Sequence, residues 1–210
     1  TWLRPETGTA VVLDCRAPDG GGFVFGISRD AENVDPETQH GVLVPFLALQ
    51  TEPHEIKASL SLAPRAWQYI GLSIDNGQGK AVFHVNGKTE TVAFEPSPTA
   101  FPIGNTPYIG VKRFASSSLH PYRGDLRFLA VYADVFLNPG HHAALHNRFA
   151  QELGRPGLAN ESPVAEAPVL AVEPANDEQM ARFREHPTPV STPSYYEVGP
   201  ENGRQLLRLR

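Results

Sequence analysis

Apolar and polar positions alternate with a period of two over most of the chain ahead of residue 135. In "WQYIGLSIDNGQGKAVFHVNGK", Trp67 to Lys88, the residues Ile70, Leu72 and Ile74 fall on one side of an extended chain. Gly71, Ser73 and Asp75 fall on the other, which is the pattern of a half-buried strand. Asn76 to Gly79 supply residues that tolerate positive φ, Ala81, Phe83 and Val85 resume the alternation, and Asn86-Gly87 is a strong hairpin signal. Upstream, "TAVVLDCRA" and "GFVFGISRD" flank the glycine-rich turn "PDGGG". After the polar loop "AENVDPETQ" comes "GVLVPFLALQ", where Pro45 suggests an edge or a bulge, and then "EIKASLSLA". Downstream, "KTETVAFE", "YIGVKRF" and "YRGDLRFLAVYADV" continue the series. In the last, Leu126, Phe128, Ala130 and Tyr132 oppose Asp125, Arg127, Leu129 and Val131, so this strand is expected to be buried on both sides and central to its sheet. Short strands at regular spacing with turns between them predict an antiparallel β-sandwich or barrel.

The period changes once. In "NPGHHAALHNRFAQELGRP", Asn138 is an N-cap, Pro139 suits the first helical position, and Leu145, Phe149 and Leu153 recur every four residues before Gly154 and Pro156. This predicts one short amphipathic helix. From Arg155 onward the chain turns Pro-rich, with eight of its twenty prolines. The sequence thus divides into a sandwich over residues 1–154 and an extended arm over 155–210. The final "SYYEVGPENGRQLLRLR" reads as strand, turn, strand, poised to dock on the sandwich or on a neighbouring chain.

The order of motifs resembles the laminin-G-like, concanavalin A-like jelly-roll superfamily. The resemblance rests on the Trp67-led strand, the Asn86-Gly87 turn, "PYIGV" around Ile109-Gly110, and the strand from Gly124 through Tyr132 followed by the helix. It covers roughly residues 8 to 153 and excludes the arm. It implies an all-β fold, an antiparallel sandwich with one short C-terminal helix. It also implies a function class that ranges over lectins, adhesion modules and glycosidases. In sandwiches of this kind the first and last strands often pair, so residues ahead of Thr1 or within the arm are expected to supply a strand. A first residue that is not Met fits a trimmed leader and a piece of a longer chain equally well.

Composition narrows the function. The 210 residues are 40% hydrophobic, enough for a core. The net charge of -5 argues against tracking nucleic-acid phosphates. The basic "GRQLLRLR" reads as a terminal strand with solvated arginines. No apolar run approaches the ~20 residues of a membrane helix, and no basic-then-apolar leader opens the chain. Cys15 is the single cysteine, so no internal disulfide forms, and its strand setting reads as an inert thiol.

No catalytic residue is assigned. Glycan-cleaving members of the superfamily carry two carboxylates on one strand face, but Asp30 with Glu32 and Asp35 with Glu37 fall in a loop that does not fix such a pair. His141, His142 and His146 have a zinc-like spacing without an H-E-x-x-H glutamate, and read as histidines on the polar side of a surface helix. For calcium, which such sandwiches often bind through loops, the candidate ligands are Asp30, Asp35, Asp75 and Asn76. The candidate ligand-binding residues are Tyr108, Arg113, His120, Tyr122 and Arg123, where aromatic faces and planar donors suit a sugar ring or a partner loop. The expected function is non-catalytic recognition of a glycan or protein surface within an extracellular, cell-surface or virion-like assembly. The alternative is a structural subunit anchored to a partner through residues 155–210, and the third reading is a glycoside-active enzyme lacking the usual carboxylate motif.

Overall fold

The computed structural model describes residues 1–5, 10–15, 23–29, 45–51, 54–63, 65–96, 108–109, 122, 124–168, 170–172, 196–201 and 204–209. Its strands run in chain order as β1 (Trp2–Pro5), β2 (Ala10–Asp14), β3 (Val24–Arg29), β4 (Pro45–Thr51), β5 (His54–Ser61), β6 (Gln68–Asp75), β7 (Lys80–Val85), β8 (Lys88–Ala93), β9 (Tyr108–Ile109) and β10 (Gly124–Val131). Helix α1 (Pro139–Ala150) and strands β11 (Leu170–Val172), β12 (Tyr196–Glu201) and β13 (Arg204–Leu209) follow. One sheet has the order β12-β13-β10-β1-β6-β7-β8, with β11 also on β10, and the other β5-β4-β3-β2-β9. Every described pairing is antiparallel. The expected sandwich is therefore present.

Between the sheets lies one large apolar core, in which Leu3, Val12, Ile27, Ile70, Phe83 and Leu126 are almost fully buried. The β6–β7–β8 meander follows the alternation, and Asn86 and Gly87 take φ of 48° and 86°, the left-handed pair that a tight hairpin demands. Strand β10 is central, between β13 and β1, as its two apolar faces require. Pro45 stands at the first residue of β4, where a missing N–H is tolerated, and a bulge follows between Phe46 and Ala48. β4 itself lies inside the sheet, between β3 and β5.

Two features depart from the sequence reading, and the arm follows one of its two alternatives. Strand β1 occupies the middle of the larger sheet, although its four residues are too short and too mixed to announce a strand. Trp2 and Leu3 point to opposite faces and are fully buried. The arm, expected to dock on the sandwich or on a neighbouring chain, docks on the sandwich: β11 and the β12–β13 hairpin both pair with β10 of the same chain. The outer face of β6, expected in solvent, is covered by α1, so that both faces of this strand are buried over most of its length.

Candidate functional site

Helix α1 begins where the sequence places it. Asn138 Oδ1 accepts from His141 N at 3.0 Å, and His141 Nδ1 accepts in return from Asn138 N at 3.4 Å. His141 thereby fills the reciprocal position usually held by Glu or Gln. The helix closes in a 3-10 turn, Gln151–Leu153, with Gly154 at φ 66°. It lies on the larger sheet through His142, Ala143, Leu145, His146, Phe149 and Ala150, an i, i+3, i+4, i+7 stripe. Two histidines therefore belong to the buried face. This corrects the reading of His142 and His146 as surface residues: they are 4% and 2% exposed.

His142 packs onto the face of β6 and β7 because Gly71 leaves room for it. A Cβ at Gly71 would sit 2.5 Å from two atoms of the imidazole. His142 Nδ1 lies 2.8 Å from the Tyr69 hydroxyl, and Nε2 lies 3.0 Å from Ser73 Oγ. Ser73 Oγ in turn donates to the Leu137 carbonyl at 2.8 Å. Because a carbonyl only accepts, the serine proton points to Leu137, so Oγ accepts from His142 Nε2–H and Nδ1 accepts from Tyr69. One neutral tautomer satisfies the whole chain. The His84 ring stacks on His142 with centroids 3.6 Å apart, and His84 Nε2 is buried without a hydrogen-bond partner.

The electrostatics follow from burial. Desolvation, with His84 as the next contributor, lowers the His142 pKa from 6.5 to about 2. Desolvation lowers His84 to about 4, and it lowers His146 as well. Tyr69 is raised, so it stays a hydroxyl donor. A second layer adjoins this one. Trp2 Nε1 donates to the His146 carbonyl at 3.1 Å, and its ring lies 4.8 Å from the His146 ring. Asn147 holds the segment after the helix, accepting from Leu158 N at 2.7 Å and donating to the Leu158 carbonyl and Glu161 Oε2 at 2.8 Å each. Between this segment, the Gly87 turn and the start of α1 lies a cleft of about 240 Å³, with His84, His142, Leu158 and Asn160 in its walls.

Ser73 and His142 have the separation of a nucleophile and its base, but their polarity is reversed. The serine proton is committed to Leu137, and Ser73 is 4% exposed. This arrangement fastens the helix to the sheet; it does not activate the hydroxyl. Cys15 is likewise closed off, with its thiol pushed up to about 12 by burial and by Asp14.

The sequence-predicted site residues are dispersed. The backbone of Tyr108 pairs with Asp14 at the edge of the smaller sheet. Tyr122 lies inside the core at 2% exposure and donates its hydroxyl to the Asp125 carbonyl at 3.0 Å, so its ring packs and offers no free face to a sugar. Arg113, His120 and Arg123 lie outside the described residues, as do Asp30 and Asp35. Asp75 Oδ1 caps its own turn by accepting from Gln78 N at 3.0 Å, and Asn76 follows it in that turn. Among the described residues no three His, Cys, Asp or Glu side chains converge on one point. Sequence reasoning missed Trp2, Tyr69, Ser73 and His84; for the histidines, the usable signal was their sharing of the helix stripe with Leu145 and Phe149.

No family profile matches the sequence, and no curated protein does. Solved structures with the same fold do exist. A heptameric SAP-like pentraxin from Limulus polyphemus matches with TM-score 0.53 and 15% identity, over 81% of this chain and 78% of its own. A putative carbohydrate binding protein from Bacteroides ovatus matches with TM-score 0.51 and 14% identity, over 99% of this chain. The chain spans half the length of the Bacteroides protein. These likenesses, with two antiparallel sheets packed face to face, show the fold of a jelly-roll β-sandwich.

Proposed function

We propose that the chain is a non-catalytic recognition module that binds glycan through the rim of the sandwich, in an extracellular, cell-surface or virion-like setting. The observation that carries this reading is the placing of the two strands on either side of residues 110–123. β9 lies at the edge of one sheet and β10 at the centre of the other, with Tyr122 locked into the core just before β10. The sequence between these two strands carries Arg113, His120 and Arg123, whose planar donors and aromatic ring suit a sugar. The name of the Bacteroides structure, a putative carbohydrate binding protein, supports the same ligand class. Tyr108 remains in the proposed site and Tyr122 becomes its buttress. Calcium through Asp30, Asp35, Asp75 or Asn76 belongs to the proposal as an arm of the test.

The assembly-subunit reading is weaker, because the β12–β13 hairpin already pairs with β10 of its own chain. A glycan array with and without calcium tests the proposal. Selective binding, reduced at least tenfold by Tyr108→Ala or Arg123→Ala, is the expected result. A blank array in both conditions overturns it.

A further inference from the structure

Two glycines shape the cleft beside the start of α1. A Cβ at Gly87 would lie 2.7 Å from the Leu158 side chain, and one at Gly140 would lie 2.9 Å from Ser162 Oγ and 3.1 Å from the Asn160 carbonyl oxygen. Residues 158–162 therefore close down on both the β7–β8 turn and the first turn of the helix. They are pinned at either end, by Asn147 on Leu158 and by the bond from Ser162 N to the Gly140 carbonyl at 3.0 Å. Asn160, between the pins, takes φ 59°, a left-handed conformation that asparagine tolerates. What this segment leaves beneath it is the cleft of about 240 Å³.

The cleft has one unsatisfied group in its wall. Gly71, His84 and Thr89 stand in one row across β6, β7 and β8, and side chains in such a row share a face. His142 fills the space over Gly71 and has both ring nitrogens engaged. His84 leans against it, 2% exposed, and its Nε2 has no hydrogen-bond partner among the described residues. A buried polar atom left in that condition is costly. Thr89, next to it on the edge strand, is exposed and offers a hydroxyl.

The rest of the wall narrows the class of ligand. None of the described residues lining the cleft is Asp, Glu, Lys or Arg, so a charged ligand finds no counter-charge there. The Asn160 carbonyl stands close to the helix start, where an anion would otherwise settle. The His84 imidazole is itself uncharged at neutral pH, since burial lowers its pKa to about 4. A hydroxyl suits Nε2 in either tautomer, because it both donates and accepts. Pro139, Ala143 and Leu158 add apolar surface for the carbon faces of a ring. The volume lies below the roughly 300–1,000 Å³ of pockets for drug-sized ligands, which leaves room for one small ring.

We propose that the cleft binds a single neutral, hydroxyl-rich ring, a monosaccharide unit or a cyclic polyol, with one hydroxyl on His84 Nε2 and another on the Thr89 hydroxyl. Nε2 is closed to water, so the ligand has to draw aside residues 158–162, the part of the wall outside any helix or strand. The site shares no residue with the proposed rim site, and neither depends on the other.

Imidazole and amide NMR of the full chain at pH 7, titrated with D-glucose, D-galactose, D-mannose and myo-inositol, tests this. The expected result is a saturable shift with at least one of the four at His84 Nε2 and at the amides of Thr89 and Asn160. Whether a sugar or the inositol responds tells the two sources apart. His84→Phe should abolish the response. Thr89→Val, isosteric and at an exposed position, should weaken it at least threefold, and it carries the test if His84→Phe does not fold. Arg123→Ala should leave it unchanged, so a failure of the rim site would not be mistaken for a failure of this one. Silence with all four probes overturns the proposal, and so does a response that survives both cleft variants. A response to sulfate alone would also overturn it, in favour of an anion at the helix start.

Discussion

The two sides of β6 are both buried, but by different means. Toward the sandwich interior, Ile70, Leu72 and Ile74 meet Phe83, Val85 and Leu129 in an apolar cluster without polar partners to arrange. Toward α1, Tyr69, Gly71 and Ser73 meet His142 through a directed chain of hydrogen bonds ending on the Leu137 carbonyl. The first side tolerates a choice of residues of similar volume, because dispersion and burial are not directional. The second side accepts one tautomer, one glycine and one serine. Binding a helix through neutral imidazoles gives it a defined seat, and it makes that seat sensitive to protons.

The largest expected effect breaks the apolar side. Phe83→Ala empties a fully buried ring from the interior and should destabilise the fold by about 3–5 kcal/mol in urea denaturation. On the polar side, Ser73→Ala leaves both His142 Nε2–H and the Leu137 carbonyl without their partner, at a cost of about 1–3 kcal/mol. Gly71→Ala should fall in the same range by overpacking, since the new methyl group meets a ring that two hydrogen bonds hold in place. If both polar-side variants matched wild type, the contrast drawn here would fail.

Protons sharpen the same contrast without mutation. The folded-state pKa values of His84 and His142 lie below the 6.5 of the unfolded chain. The unfolded state therefore binds more protons below that value, and stability falls as the pH drops. The contribution is intact above about pH 6.5 and is lost progressively toward about 4 for His84 and about 2 for His142. Each histidine adds a slope of up to about 1.4 kcal/mol per pH unit while its unfolded form is protonated and its folded form is not. Thermal melts from pH 7 to 4.5 should show His84→Phe to be less pH-sensitive than wild type. Carboxylates common to both chains cancel in that difference. Parallel curves would remove His84 from the account.

Legibility divides along the same line. The apolar side of β6, the Asn86-Gly87 hairpin, the central position of β10 and the caps of α1 all follow from local pattern. The polar side did not, because histidine and serine read as solvent-facing until a helix is laid over them. That covering depends on Gly71, and a glycine in a strand signals close approach without naming what approaches. β1 was hidden for a different reason. Its four residues earn their place through partners more than sixty positions away, Tyr69 and Phe128 among them. The pairing of β13 with β10 is equally remote. Sequence reasoning named Tyr108 and Tyr122 together as ligand-binding residues, whereas the backbone of the first pairs at a sheet edge and the ring of the second is buried, a difference that no local pattern carries.

The smallest effect comes from the third histidine of the helix. His141 stands beside His142 in sequence, yet it points outward and serves the N-terminus, exchanging hydrogen bonds with Asn138. Asn138→Ala should cost about 1 kcal/mol, as the loss of an N-cap does elsewhere. His141→Ala should cost about 0.5 kcal/mol, because its partner stays open to water. His142→Ala, one position later, strips the bonds to both Tyr69 and Ser73 and should exceed the two combined. Denaturation of the three variants under one set of conditions ranks them. An order with His141 above His142 would mean that α1 is held by its cap and not by its buried imidazoles, and the two sides of β6 would then differ in composition only.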